Sequence, residues 1–350
     1  VENLLYKVGK GATIAFNILN IGRYKLAASC IGGSKLGIEH AINYALNRRQ
    51  FGQPIAYFDS IKGKVADMTV RVYAGDSMLY RTVGLIQDSI NELDKSDPAF
   101  YMKMGEAHEK FAVEASMAKV FGSETSDLIV DEALQIHGGY GFTEEYPMAR
   151  AYRDDRINQI WEGTNEINRA IVTGYMMKKV LMEEISLRDF LKEMDNFLSV
   201  DILTLSKENY GREIHGLDSA KLLASLVFQE ALCEYGQDLK HQQQLSEALA
   251  DIFTLIYTAG SVISRARQSQ SNHEISDMSS VITRIFTAES LLKIKSLSNI
   301  CLNKIFEENI PNETAQFVQS LESIMTLNTD TISLKQSLAD FMYTKNNYPF

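Results

Sequence analysis

Proline is nearly absent from this chain. Only five of its 350 residues are proline, Pro54, Pro98, Pro147, Pro311 and Pro349, so little stands in the way of long helices, which an interior proline breaks by losing an amide donor and clashing with the preceding turn. The intervals between them are rich in Ala, Leu, Ile, Lys and Glu, residues that lose little side-chain entropy in a helix. The chain is expected to be all-α. With 45% hydrophobic residues it is long enough to build two packed units.

Spacing divides those intervals. From about residue 13 to 49, Ala27, Ile31, Ser34, Ile38, Ile42 and Ala45 recur every three or four positions, which predicts one long helix with a buried stripe. Gly32, Gly33 and Gly37 inside it each cost up to about 1 kcal/mol of helix propensity relative to Ala, and close packing of a neighbouring helix is the simplest reason to keep them. A Gly-Gln-Pro break at 52–54 ends this helix. Ile61, Val65, Met68, Val72, Gly75 and Leu79 then predict a second helix from about 60 to 93. After a turn at 94–98, helices over about 99–121 and 123–136 complete a four-helix bundle. Residues 137–164 carry Gly138, Gly139, Gly141, Pro147 and Gly163 and read as a long ordered loop. Helicity resumes after Thr164, a good N-cap, with Glu166 in the first turn where the helix dipole favours an anion. Further segments near 187–197, 219–235, 242–269, 275–306 and 329–343 read as a second helical domain, with a flexible connection near 209–218.

The formal net charge of −10 and the lack of a clustered Lys/Arg face exclude a nucleic-acid binder. Cys30, Cys233 and Cys301 are odd in number and far apart, so no metal or redox pair is expected and a reducing compartment fits best. No apolar run approaches the roughly 18 to 20 uncharged residues that a membrane span requires, and membrane contact is not expected. The opening residues 1–12 read as a strand or loop already under way, with further residues expected upstream.

Chemistry is expected in the 137–164 stretch, since loops longer than about 12 residues in a compact domain usually carry function. Gln135 and the Gly138-Gly139 pair offer an amide and bare backbone to a phosphate or a polar ring edge, although a plain turn has the same composition. Glu162 lies between Trp161 and Gly163. An apolar neighbour raises a carboxylate pKa by desolvation and a glycine lets substrate approach the backbone, both suited to a general base. Taken by itself, an acidic residue before a helix is more often a solvated loop residue or a dipole partner.

The longer strings Ala133-Leu-Gln-Ile-His-Gly-Gly-Tyr-Gly-Phe-Thr-Glu-Glu-Tyr-Pro147, Tyr152-Arg-Asp-Asp-Arg-Ile157 and Ile160-Trp-Glu-Gly-Thr-Asn-Glu-Ile167 closely resemble the acyl-CoA dehydrogenase family. So do Arg48-Arg-Gln-Phe-Gly-Gln-Pro-Ile55 and the opening Val1-Glu-Asn-Leu-Leu, in the same order. The resemblance covers residues 1 to about 183. It implies the end of a β-domain or linker at 1–13, the family's C-terminal four-helix domain at 14–184, and an appended helical domain at 185–350. That last part resembles the very-long-chain type, with Ile263-Ser-Arg-Ala-Arg267 and the closing Asn347-Tyr-Pro-Phe350 as local markers, and implies a long-chain substrate.

By the same resemblance FAD is the cofactor, held between the β-domain and the four-helix domain and partly by a neighbouring subunit. Glu162 is then the base that takes the α-proton of an acyl-CoA while hydride leaves the β-carbon for the flavin, and its backbone N–H meets the thioester carbonyl. Arg48 and Phe51 are expected at the cofactor across a dimer, Gln135, Gly138 and Gly139 along its pyrophosphate, and Thr164 and Glu166 beside the flavin. Asn20, Arg23 and Gly163 are expected near the acyl-CoA. Some relatives carry the base at the position of Gly22, which leaves Glu162 alone here. Asp59 replaces a glutamine common in the family. The implied partners are acyl-CoA, an electron-transfer flavoprotein and a second subunit in a homodimer or dimer of dimers, in a bacterial cytoplasm or, in a eukaryote, the mitochondrial matrix. Two alternatives stay open. An inactive helical assembly protein would not depend on Glu162, and an acyl-CoA oxidase would pass electrons to oxygen and release peroxide.

Overall fold

The computed structural model describes residues 8–9, 11–192, 197, 209–268, 273–345 and 347–350. The expected opening strand lies mostly outside them. The helices are α1 (Gly11–Asn47), α2 (Asp59–Asn91), α3 (Phe100–Lys110), α4 (Ala112–His137), α5 (Gly139–Phe142), α6 (Pro147–Asp155), α7 (Asn165–Leu181), α8 (Leu187–Lys192), α9 (Gly211–Tyr235), α10 (Gln243–Gln268), α11 (His273–Ile305), α12 (Asn312–Ile324) and α13 (Thr331–Met342). The described strands are β1 (Arg49–Gln50) and β2 (Gln53–Pro54), an antiparallel pair that pins the hairpin tip at Phe51-Gly52.

The long first helix is present, and its stripe of Ala27, Ile31, Ser34, Ile38, Ile42 and Ala45 is buried. It packs along α4, where a Cβ placed on Gly122 would stand 3.0 Å from the Ala27 Cα. Two backbones approach there, which only the smallest residue permits. The expected helix break at 122–123 is therefore a packing contact. The break falls instead at Phe111, between α3 and α4. Of Gly32, Gly33 and Gly37, only Gly37 faces a neighbour, its added Cβ 2.8 Å from Ile129 Cγ2, while Gly32 and Gly33 look onto open space.

Three further expectations are corrected. The 137–164 stretch is largely helical: Gly138, at φ +58, ends α4, and Pro147 opens α6 at a position where its missing N–H costs nothing. The connection at 209–218 is mostly helix α9, with Gly211 buried and an added Cβ on Gly216 2.8 Å from Leu291 Cδ1. Helix α12 begins after Pro311, where no helix was expected. In addition, α10 is long and apolar enough to cross a membrane by length and composition, but 61% of its apolar window is buried inside the protein.

The appended helices share their core with the first four. Ala259, Val262 and Ile263 of α10, Ile282, Ile285 and Phe286 of α11, and Leu338 and Phe341 of α13 join Val65, Val72 and Phe121 in one apolar cluster. Other faces of α10 and α11 join α9 and α12 in a second cluster around Leu223, Leu249, Leu291 and Leu321. Polar contacts follow the same route: Asp76 of α2, almost buried, binds Lys35 of α1 at 3.1 Å and Arg265 of α10 at 3.3 Å. The closing residues return to α1, where the Tyr348 N–H donates to Glu39 Oε1 at 3.0 Å.

Gly122→Leu is expected to force α1 and α4 apart and to lower stability by about 1–3 kcal/mol, the usual range for overpacking a core. Gly32→Ala, with open space around it, is expected to raise stability by about 0.5–1 kcal/mol. Urea denaturation of both variants checks the pair.

Candidate functional site

The chain leaves α6 through a short 3-10 turn at Arg156–Gln159 and reaches α7 by way of Trp161, Glu162 and Gly163. Glu162 and Gly163 are both left-handed, at φ 57 and φ 83. A non-glycine residue there costs on the order of 1–3 kcal/mol and persists only where its surroundings hold it. They do so here. The Glu162 carbonyl accepts from Arg23 Nε at 3.2 Å and from Asn168 Nδ2 at 3.4 Å. The same Asn168 amide reaches the carbonyls of Gly163 at 2.8 Å and Thr164 at 3.0 Å. Thr164 caps α7 by accepting the Ile167 N–H at 3.3 Å.

This twist lays the Glu162 carboxylate against α1 at Gly22. A Cβ on Gly22 would stand 2.4 Å from Glu162 Oε2, so the absent side chain is the slot in which the carboxylate rests. Arg23 and Asn20, at 5% and 4% exposure, hold each other through a 2.8 Å bond from Arg23 Nη1 to Asn20 Oδ1. Burial lowers the Arg23 pKa from the usual arginine value, and the nearby Glu162 and Tyr175 oppose that effect. The structure thus brings Asn20, Arg23, Glu162, Gly163 and Thr164 together, with Arg23 holding the Glu162 backbone and Asn20 holding Arg23. Trp161 is half-exposed, its indole N–H donating to Asn158 at 3.2 Å.

A second group of the expected residues gathers elsewhere. Arg48, Gly138, Gly139 and Tyr140 line an open hollow of about 520 Å³ together with Tyr44, Gln50 and His137. The Arg48 guanidinium lies over the Tyr140 ring at 5.7 Å, and a Cβ on Gly138 or Gly139 would meet nothing within 4 Å. Phe51 is 91% exposed at the hairpin tip. Gln135 is exposed near the end of α4, outside the lining of this hollow. Glu166 stands exposed in the first turn of α7, its carboxyl held below the usual range first by its own backbone N–H and then by the Thr164 hydroxyl. Asp59 is exposed in the first turn of α2, where the helix dipole accommodates its charge.

Several residues behind the site escaped the sequence reading. Lys119 of α4 is fully buried, and its Nζ donates to Asn165 Oδ1 at 2.7 Å. Burial lowers its pKa to about 8. Asn165, the first residue of α7, also donates to Ser123 Oγ at 3.1 Å and to Glu124 at 3.2 Å. Asp155 is nearly buried with one oxygen accepting from Ser126 and Asn158, and burial raises its pKa. The one available signal was Lys119 itself, a lone charge within Ala115-Ser-Met-Ala-Lys-Val-Phe121.

Comparison with known proteins agrees along the whole chain. Two family models, each described as acyl-CoA dehydrogenase, C-terminal domain, match residues 9–177 and 219–310. A Bacillus subtilis protein described as "Probable acyl-CoA dehydrogenase" is 41% identical over 302 residues, which is 84% of this chain and 50% of that relative. The mitochondrial very long-chain specific acyl-CoA dehydrogenase of Bos taurus is 34% identical over 294 residues, 77% of this chain and 41% of its own length. The crystal structure of an acyl-CoA dehydrogenase complexed with FAD from Bacillus anthracis superposes with a TM-score of 0.92 at 34% identity, covering 100% of this chain and 59% of that one. This chain therefore spans about half the length of the curated relatives it matches.

Lys119 leaves a signature independent of those likenesses. Its folded pKa of about 8 lies below the ordinary 10.5, so between these values the unfolded chain binds more protons and stability rises with pH. From pH 7 to pH 9.5 this group is expected to add about 2 kcal/mol. Lys119→Met, which cannot titrate, is expected to lose that increment, as judged by urea midpoints of both proteins at the two pH values.

Proposed function

Because the chain belongs to the acyl-CoA dehydrogenase family, we propose that it carries the catalytic base of an FAD-dependent enzyme that converts a long-chain acyl-CoA to its trans-2-enoyl thioester. The observation that carries this reading is the Glu162 carboxylate, set over the side-chain-free position of Gly22 by a left-handed backbone that Arg23 and Asn168 tie down. A general base must be held within hydrogen-bond reach of the proton it removes, and such positioning contributes 10²–10⁴-fold to rate in typical cases.

Glu162 is assigned the α-proton. Its carbonyl is engaged by Arg23 and Asn168, and its N–H is assigned to the thioester oxygen, where it stabilises charge developing as the α-proton leaves. Buried Arg23 holds the backbone that carries the carboxylate, through its bond to the Glu162 carbonyl. Gly163 keeps the approach to the base free of a side chain.

The hollow beside α4 fits the cofactor's pyrophosphate: bare Gly138 and Gly139 leave room for close backbone approach, and Arg48 supplies positive charge. When bound, FAD supplies the acceptor for the hydride that leaves the β-carbon. Exposed Phe51 and Tyr140 are assigned to the cofactor or to a second subunit, with Thr164 and Glu166 beside the flavin ring and Gln135 nearer the dinucleotide. Likeness to the very long-chain specific relative through the appended helices supports a long acyl chain. An electron-transfer flavoprotein is the assigned electron acceptor. A cytoplasmic setting is supported by three cysteines without disulfides among the described residues.

The test is anaerobic mixing of the FAD-loaded, full-length protein with a long-chain acyl-CoA while the visible flavin band is followed. The band is expected to bleach in the wild type, and Glu162→Gln is expected to slow bleaching by about 10²–10⁴-fold with unchanged circular dichroism and flavin content. Undiminished bleaching in Glu162→Gln removes the base assignment. A wild type that never bleaches is the inactive assembly protein, and rapid peroxide release in air marks an oxidase.

A further inference from the structure

The appended helices reach α7, the helix that follows the Glu162 segment, through Arg169 and Thr173. Arg169 of α7 lies on the turn after the Thr164 cap, next to Asn168, the residue that collects the carbonyls of 162–164. Its Nη2 meets Glu124 Oε1 of α4 at 2.8 Å and its Nε donates to Asp251 Oδ1 of α10 at 2.7 Å. The arginine side chain is only 16% exposed. The same Glu124 oxygen accepts from Asn165 at 3.2 Å. One turn further, Thr173 Oγ1 donates to the buried Ser246 carbonyl of α10 at 2.7 Å. Helix α7 is therefore gripped on one side by α4 and on the other by a helix far downstream in the sequence.

Arginine's planar fork fixes direction as well as distance when two carboxylates hold different edges of it. With Arg169 locked, the adjacent Asn168 is locked too, and with it the left-handed pair that aims the Glu162 carboxylate at the Gly22 slot. Proton abstraction needs the reacting atoms about 3–3.5 Å apart, and a shift of roughly 1 Å caused by a remote change can cost about 10²-fold in rate. We infer that Asp251, on appended helix α10, is a positioning residue for proton abstraction, acting through Arg169 and Asn168 on the backbone of Glu162. The inference rests on the reading of Glu162 as the base, and it gives the appended helices a part in the chemical step.

The test uses FAD-loaded, full-length protein and stopped-flow flavin reduction with ordinary and α-deuterated long-chain acyl-CoA. Asp251→Asn, of equal size and at a side chain 35% exposed, is expected to lower the limiting reduction rate by about 10- to 100-fold and to raise the α-deuterium isotope effect, with half-saturating acyl-CoA unchanged. Asp251→Glu, which keeps the charge, is expected to recover most of the rate. The double variant with Glu124→Gln is expected to lose less than the two single losses combined, because both act on one arginine. A wild-type rate in Asp251→Asn, or a change confined to acyl-CoA affinity, overturns the inference. So does an equal loss in the Asn and Glu variants that follows a lowered thermal midpoint, since that is a merely structural pair. The base reading fails separately, by undiminished flavin reduction in Glu162→Gln.

Discussion

The seam between α1 and α4 governs this molecule. At its closest point Gly122 lies against the backbone of Ala27, where even a methyl group would stand 3.0 Å from the Ala27 Cα and press the helices apart. One turn along α1 from that contact stand Gly22 and Arg23; one turn along α4 stands Lys119. The first two form the slot and the clamp for the Glu162 segment, and the third pins the start of α7 through Asn165. Helix spacing at a small-residue contact thus sets the distance between the groups that hold the Glu162 segment, and the surrounding core, with packed side chains such as Ile31, Ile38 and Ile129, keeps that spacing from drifting.

The Glu162–Gly163 segment is a case of local strain held by outside partners. Two consecutive left-handed residues would relax if free, and three successive carbonyls would otherwise need water. A single buried Asn168 amide and one buried arginine satisfy them. The groups beneath are of mixed cost: Lys119 is a buried amine that donates to a neutral amide oxygen, and Asp155 keeps one oxygen without a hydrogen-bond partner. Such burial is unfavourable in itself. It is tolerated where it removes rotational freedom from a segment whose orientation matters.

How much of this could be read from the sequence depended on the range of each interaction. α1 and α2 were legible because their apolar residues repeat every three or four positions, a local signal. The α3–α4 boundary was misplaced because Gly122 looks like a breaker, although its lack of a side chain serves a partner 95 positions away in the chain, Ala27. Gly211 and Gly216 misled in the same way, and Pro147 and Pro311 mark the starts of helices where none was expected. At the site, Glu162 was singled out by its neighbours and given a role by family likeness. Asn168 and Asp251 carried no local mark; Asp251 and Lys119 act on residues brought to them only by the fold. Lys119 came closest to being found, as an isolated charge among small and apolar neighbours.

Helices α10 and α11 contribute one face to the core beneath α2 and another to the core beneath α9. They serve both halves at once, like a wall common to two rooms. A descendant that shed everything after α7 would strip the cover from Val72 and Phe121 and leave the Arg265 side of Asp76 empty. Loss of this region is therefore closed as a simple deletion. A lineage could discard it only after α2 had been resurfaced or given a different neighbour, so in a protein of this design the extra helices are inherited together with the four they adjoin.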